Sequence, residues 1–190
     1  CLIGCTLLLF AGWELIIIGA LCVLFAFLYT TGPYPLSYNG WGDVLVIIFF
    51  GFVPVGGTYY VQALTWTPDV TIASIICGLL IDTLLVVNNY RDREADARSG
   101  KRTVIVRFGE KFGRYFYLLL GISASLLCLY FLREGHIYAA LLPQLYLVPH
   151  VLTWRRMVKI HSGKKLNSIL GETSRNMLFM GILLAIGMIL

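Results

Sequence analysis

The chain has 190 residues, of which 58% are hydrophobic and only 13% charged, and its mean hydropathy is +0.81. A soluble domain carries about 25% charged residues, so this composition excludes an ordinary soluble fold and points to a polytopic membrane protein. The formal charge of +5 does not indicate a nucleic-acid surface, because 14 of the 15 Lys and Arg fall between Arg91 and Arg114 or between Arg155 and Arg175. That clustering is the pattern of loops held on the positive side of a membrane.

A spanning helix needs about 20 mainly apolar residues. Residues 1–11 are too few and are expected to be the second half of a helix whose first half precedes Cys1, so the chain reads as part of a longer protein. Residues 14–29 form the next span, with Trp13 and Tyr29 as aromatic anchors at its two ends. A loop dense in Gly, Pro and Tyr follows over 30–43. Residues 44–63 span again, and Gly51, Pro54, Gly56 and Gly57 predict a kink in their second half. After a short turn at 64–68, residues 69–90 cross back and continue into the charged segment. Residues 115–132, 137–154 and 173–190 supply three more spans, separated by a tight turn at 133–136 and a second basic loop over 155–172. The expected architecture is therefore all-α: a transmembrane helical bundle of about six full spans plus part of an N-terminal one, forming a single domain over 1–190. Alternation places the loops 30–43, 91–114 and 155–172 on one side, the cytoplasmic one by the basic bias.

The five cysteines, Cys1, Cys5, Cys22, Cys77 and Cys128, lie in apolar runs without zinc-ligand spacing and read as packing residues. His136 and His150 lack a second ligand at usable spacing, and His161 is expected to be solvated. Asp82 sits inside a span, where an ionisable group needs a reason. It is roughly 80° off the stripe of the acids that follow, so the expected role is a buried hydrogen bond to a neighbouring helix.

Residues 86–107 read VVNNYRDREADARSGKRTVIVR. Asn88, Asp92 and Asp96 recur every four residues and so lie along one drifting helical stripe. Gly100 breaks the pattern, and Lys101, Arg102 and Arg107 follow. Hard carboxylate and amide oxygens suit Mg²⁺, which binds through one or two carboxylates plus substrate phosphates. The cations beyond Gly100 suit the phosphate itself. A merely solvated loop is the competing reading, and the regular spacing of the oxygens argues against it.

The segment NNYRDREADARSGKRTVIVRFG resembles the second aspartate-rich motif of the UbiA superfamily of intramembrane prenyltransferases. In that pattern, D-x-x-x-D-x-x-x-G, the positions are filled here by Asp92, Asp96 and Gly100. The flanking NN-x-RD and GK-x-T-x-x-VR-x-G are most similar to the polyprenyltransferases that act on 1,4-dihydroxy-2-naphthoate in menaquinone synthesis. YTTGPYPLSYNGWGD, GTYYVQ and KKLNSILGETSRN extend the resemblance over most of the chain. It implies transfer of a polyprenyl group from a polyprenyl diphosphate to the naphthoate, with decarboxylation, giving demethylmenaquinone and diphosphate in the bacterial membrane. Asp92 and Asp96 are then catalytic metal ligands with Asn88 beside them, and Mg²⁺ is the cofactor. Lys101, Arg102 and Arg107 become diphosphate ligands, and Asn89, Tyr59, Tyr60 and Gln62 are candidates to line the acceptor pocket. Arg91, Arg93 and Arg98 are assigned to topology or lipid headgroups. The resemblance also implies a first motif, N-x-x-x-D-x-x-x-D, which these residues do not contain, so the chain alone is expected to be inactive. Another aromatic acceptor is the nearest alternative within the enzyme class. A transporter is the alternative outside it, but the broken-helix pattern at 51–57 has no second copy.

Overall fold

A computed structural model of the chain describes residues 6, 7 and 12–190. The predicted helix remainder at 1–11, with Cys1 and Cys5, lies outside the described residues except at Thr6 and Leu7. Among the described residues there are helices, short 3-10 segments and no strand. Six rods run up and down: α1 (Glu14–Thr30), α2 (Gly42–Ala63), α3 (Pro68–Arg98), α4 (Val104–Leu132), α5 (137–160) and α6 (Lys164–Ile189). By length and composition α2, α3, α4 and α6 are each apolar enough to cross a bilayer, while α1 is an apolar helix of 17 residues. The bundle is that of a multi-pass membrane protein.

α3 is the central rod, packed against α2 on one side and α4 and α6 on the other. Its start is set locally. Thr67 caps it by accepting a hydrogen bond from the Val70 N–H (3.3 Å), Pro68 occupies the first turn, where its missing N–H is harmless, and Asp69 meets the positive end of the helix dipole. Thr103 caps α4 in the same way through the Val106 N–H (3.2 Å). Two apolar clusters fill the interior. One, around Ile76, Phe131 and Met180, lies toward the 133–136 turn; the other, around Val86, Tyr117 and Met157, lies toward the basic segments.

Where Gly51, Pro54, Gly56 and Gly57 predict a disturbed helix, α2 departs from regular α-helix: residues Ile47–Gly56 form a ten-residue π-helix with Pro54 inside it. The wider turn shifts the hydrogen-bond register, which accommodates the missing proline N–H without a break in the rod. One expectation is corrected here: the basic segments are mostly helix rather than loop. α3 continues to Arg98; α4 begins at Val104 and is interrupted at Gly109 (φ +86°); α5 continues to Ile160, and the chain is helical again from Lys164. Arg, Lys and Glu are good helix formers, so charge marks where a helix leaves the hydrocarbon and not where it stops.

α2 and α3 touch through small residues. A Cβ on Gly78 would sit 2.9 Å from the Ile47 Cα, and one on Gly51 would sit 3.0 Å from the Gly78 Cα. The two backbones therefore approach as closely as backbones can, and this crossing fixes what lies beyond it at the end of the bundle that carries residues 31–41 and 99–103.

A candidate diphosphate and metal site

The site begins with the way α3 ends. Gly100 has φ +78°, a left-handed conformation that glycine adopts without cost. The turn it makes returns the Lys101 N–H to the Asp96 carbonyl (2.9 Å) and the Gly100 N–H to the Ala97 carbonyl (3.2 Å), the bonding of a glycine-terminated helix. The same fold-back brings the Lys101 ammonium to 3.5 Å from the Asp96 carboxylate. Spacing of four between Asp96 and Gly100 is thus what places a cation over the last acid of the stripe.

Asn88 and Asp92 face the same way, and Arg91 joins them. Its guanidinium donates to Asn88 Oδ1 (2.7 Å), to both oxygens of Asp92 (2.7 and 2.6 Å) and, across to α6, to Asn167 Oδ1 (2.9 Å). Arg91, assigned from sequence to topology or lipid headgroups, is thus engaged within the protein; a position three residues after Asn88 and next to Asp92 lets the guanidinium fork span both. Arg93 is likewise engaged within the protein. It donates to the Tyr90 carbonyl (2.7 Å), lies over the Tyr90 ring (4.7 Å to its centre) and pairs with Glu110 (3.4 Å).

The loop over 31–41 closes against this end of α3. The Arg102 N–H donates to the Tyr38 carbonyl (2.7 Å), and the Arg107 guanidinium donates to the Asn39 carbonyl (2.7 Å). The expected sharing of one end by the Tyr-rich loop and the aspartate stripe is what the geometry gives. Lys101 and Asn89 help line a small cavity of about 10 Å³ with Tyr29, Ser37, Asp43 and Thr103. Tyr29 also borders a second, apolar cavity of about 510 Å³ between α1, α2 and α3, lined by Cys22, Phe25, Phe49, Phe50 and Leu85 among others. Its volume is in the range of ligand sites, roughly 300–1,000 Å³.

Tyr59, Tyr60 and Gln62 are not brought together with Asn89. They lie in the last turns of α2, more than fifteen residues along the rod from Asp43, roughly 24–29 Å at the rise of an α-helix. There Gln62 donates to the Thr58 carbonyl (3.1 Å) and borders a separate groove. Of the four acceptor-pocket candidates only Asn89 stays at the site, because α2 runs antiparallel to α3 and carries its own far end away.

Sequence reasoning missed Glu110. It accepts from the Tyr90 hydroxyl (2.9 Å), pairs with Arg93 and Arg114, and lies 3.1 Å from His161 Nε2, tying α3, α4 and the turn after α5 into one knot. His161 is exposed, as expected, and also lies beside Glu110. The available signal was that Glu110 is the one acid among the five Lys and Arg between Gly100 and Arg114. His150 is buried between Tyr117 and Tyr146, with ring centres 4.7 and 5.0 Å away, and both ring nitrogens are used, by the Tyr146 hydroxyl (2.9 Å) and the Leu118 carbonyl (3.2 Å). It is a structural histidine.

The donor set suits Mg²⁺. Asp96 Oδ2 is buried without a hydrogen-bond partner, and Arg91 already lies as a cation between the oxygens of Asn88 and Asp92. Among the described residues no three His, Cys, Asp or Glu side chains converge on one point.

The UbiA prenyltransferase family model matches residues 1–188. The chain belongs to this family. One curated UbiA relative, the 1,4-dihydroxy-2-naphthoate octaprenyltransferase of Escherichia coli (strain K12), is 40% identical over 124 residues, which are 65% of this chain and 39% of that protein. The protein of the same description from Mycobacterium tuberculosis (strain ATCC 25618 / H37Rv) is 40% identical over 126 residues, 66% of this chain and 43% of that protein. UbiA prenyltransferase domain-containing protein 1 of Dictyostelium discoideum is 30% identical over 173 residues, 91% of this chain and 51% of that protein. The chain therefore spans about two fifths to one half of these UbiA relatives. No solved structure matches it.

Proposed function

We propose that the protein to which this chain belongs transfers a polyprenyl group from a polyprenyl diphosphate to 1,4-dihydroxy-2-naphthoate, with loss of the carboxylate as CO₂, giving demethylmenaquinone and diphosphate. The observation that carries this reading is the array of Asn88, Asp92 and Asp96, capped by Lys101, beside an apolar cavity of about 510 Å³ that Tyr29 and Leu85 border. The naphthoate acceptor rests on the printed descriptions of the Escherichia coli and Mycobacterium tuberculosis relatives.

Asn88, Asp92 and Asp96 would hold Mg²⁺, which when bound supplies Lewis acidity to the diphosphate. Lys101, Arg102 and Arg107 stand at the same end and add positive charge where the leaving group gains negative charge as the allylic C–O bond breaks. Lys101 is the foremost of the three, because the turn at Gly100 holds it over Asp96. The apolar cavity takes the isoprenoid chain and keeps water from the allylic carbon, and the aromatic faces of Phe25 and Phe49, 5.2 Å apart between centres, line its wall. Asn89, which lines the small cavity with Lys101, is the residue we assign to the acceptor. The basic end of the bundle faces the cytoplasm.

The test is turnover by the full-length protein with farnesyl diphosphate and either 1,4-dihydroxy-2-naphthoate or 4-hydroxybenzoate. Mg²⁺-dependent release of CO₂ with the naphthoate is expected. Product with 4-hydroxybenzoate alone would reassign the acceptor, and no product with either would refute prenyl transfer to an aromatic ring.

A further inference from the structure

α1, α2 and α3 enclose two acids that the aspartate stripe does not use. Asp43 lies in the first turn of α2, and Asp82 lies in the middle of α3. A Cβ on Gly42, next to Asp43, would sit 3.3 Å from Leu85 Cδ2, one turn from Asp82, so the start of α2 brings the Asp43 carboxyl beside that of Asp82. Asp82 is 0% exposed and Asp43 8%. Among the described residues Asp43 Oδ1 and both oxygens of Asp82 have no donor. Asp82 does meet a neighbouring helix, as its position predicts, but the group it meets is another acid.

Two carboxylates cannot both stay charged at such a distance in so dry a place. A single proton between them supplies the missing donor and leaves one negative charge. The positive end of the α2 dipole favours that charge on Asp43, and the fully enclosed Asp82 is the better place for the proton. The other titratable groups facing the pair are the Tyr29 hydroxyl from α1 and Lys101 from the 99–103 turn, which borders the small cavity with Asp43. That cavity, about 10 Å³, has room for about one water, and its rim is Asn89 and Lys101 at the foot of the candidate site.

We propose that Asp43 and Asp82 share one proton and that Asp43 is the base that, through one water in this cavity, takes the proton of a phenolic hydroxyl on the aromatic acceptor. The proposal rests on the prenyl-transfer reading for its substrate. In the step the acceptor O–H bond breaks and its electron pair stays on the aryl oxygen, which enriches the ring carbon that attacks the allylic carbon. The water passes a proton to Asp43 as it receives the acceptor's, so the pair becomes doubly protonated, and the proton later returns to solvent by the same cavity.

Two measurements on the full-length protein in lipid nanodiscs test this. Difference infrared spectroscopy at neutral pH reads the carbonyl stretch of a protonated buried carboxylic acid; the band is expected in the parent and absent in Asp82→Asn. No such band, or a band untouched by that substitution, overturns the shared proton. In Asp43→Asn, turnover of farnesyl diphosphate with 1,4-dihydroxy-2-naphthoate is expected to fall about a hundredfold or more at neutral pH. It should recover as rising pH ionises the acceptor in solution, while Mg²⁺-dependent farnesyl diphosphate binding is kept, which shows that the variant folds. Turnover within about threefold of the parent, or a loss that alkali does not relieve, overturns the base role. A parent that binds no farnesyl diphosphate overturns prenyl transfer and the base role together, and the infrared band then decides the shared proton by itself.

Discussion

Replacing Gly100 by alanine tests the link between the end of α3 and the site it serves. The residue has φ +78°, and a Cβ built there meets nothing within 4 Å, so the whole cost is backbone conformation and none of it is crowding. A non-glycine residue in the left-handed region costs roughly 1–2 kcal/mol, and the lower freedom of alanine in the unfolded chain offsets about 0.4–1 kcal/mol of that. The net loss is therefore about 1 kcal/mol. The chain has two ways to meet it. It can keep the turn and lose stability, or it can open the turn and give up the Lys101 N–H to Asp96 bond, which carries the Lys101 ammonium away from the acid. In the second case binding of the diphosphate weakens by a factor of about five, the equivalent of 1 kcal/mol. Thermal unfolding in detergent and Mg²⁺-dependent farnesyl diphosphate binding, both on the full-length protein, separate the two. Asparagine tolerates positive φ better than most residues and valine worse. With Gly100→Asn and Gly100→Val added to the series, the expected order is glycine, asparagine, alanine, valine in stability and affinity combined. Valine equal to glycine in both assays, or asparagine worse than valine, would refute the account of the turn.

Other substitutions probe the rest of the bundle. Gly78→Val puts a branched side chain where the Ile47 Cα is 2.9 Å from the new Cβ; it should cost about 1–3 kcal/mol by overpacking, seen as earlier thermal unfolding, and an unchanged transition would contradict the close crossing of α2 and α3. His150→Leu leaves the Tyr146 hydroxyl and the Leu118 carbonyl without their partner and should destabilise by about 1–3 kcal/mol, with no change in Mg²⁺ dependence; altered metal dependence would show that the histidine is more than structural. Arg107→Ala removes the bond to the Asn39 carbonyl and should speed proteolytic cleavage within 31–41, whereas an unchanged cleavage rate would mean the loop is held by the Arg102 to Tyr38 bond alone.

Much of the fold is legible in the sequence because it is local. The rods follow from runs of apolar residues, the end of α3 from Gly100, and the stripe of Asn88, Asp92 and Asp96 from helical spacing. The non-local features are where the reading departs from the structure. Gly51, Pro54 and Gly56 announce a disturbed helix but not that it is a π-helix whose Gly51 packs against Ser74 and Gly78 of α3. Asp43 and Asp82 each look isolated in the chain, and only the crossing of two helices makes them a pair. Tyr59, Tyr60 and Gln62 stand away from Asn89 for a simpler reason: antiparallel rods bring the start of one beside the end of the other. Arg91 and Arg93 look lipid-facing because composition counts charges and does not show that Asn88, Asp92 and Glu110 stand within their reach.

The central claim is that one face of α3 grips a diphosphate through divalent metal. Its most direct measurement is equilibrium binding of farnesyl diphosphate to the full-length protein with and without Mg²⁺, in the parent and in Asp92→Ala. Binding that requires Mg²⁺ and is lost in the variant is the predicted result. Binding that persists without Mg²⁺ and is unaffected by the substitution would contradict it.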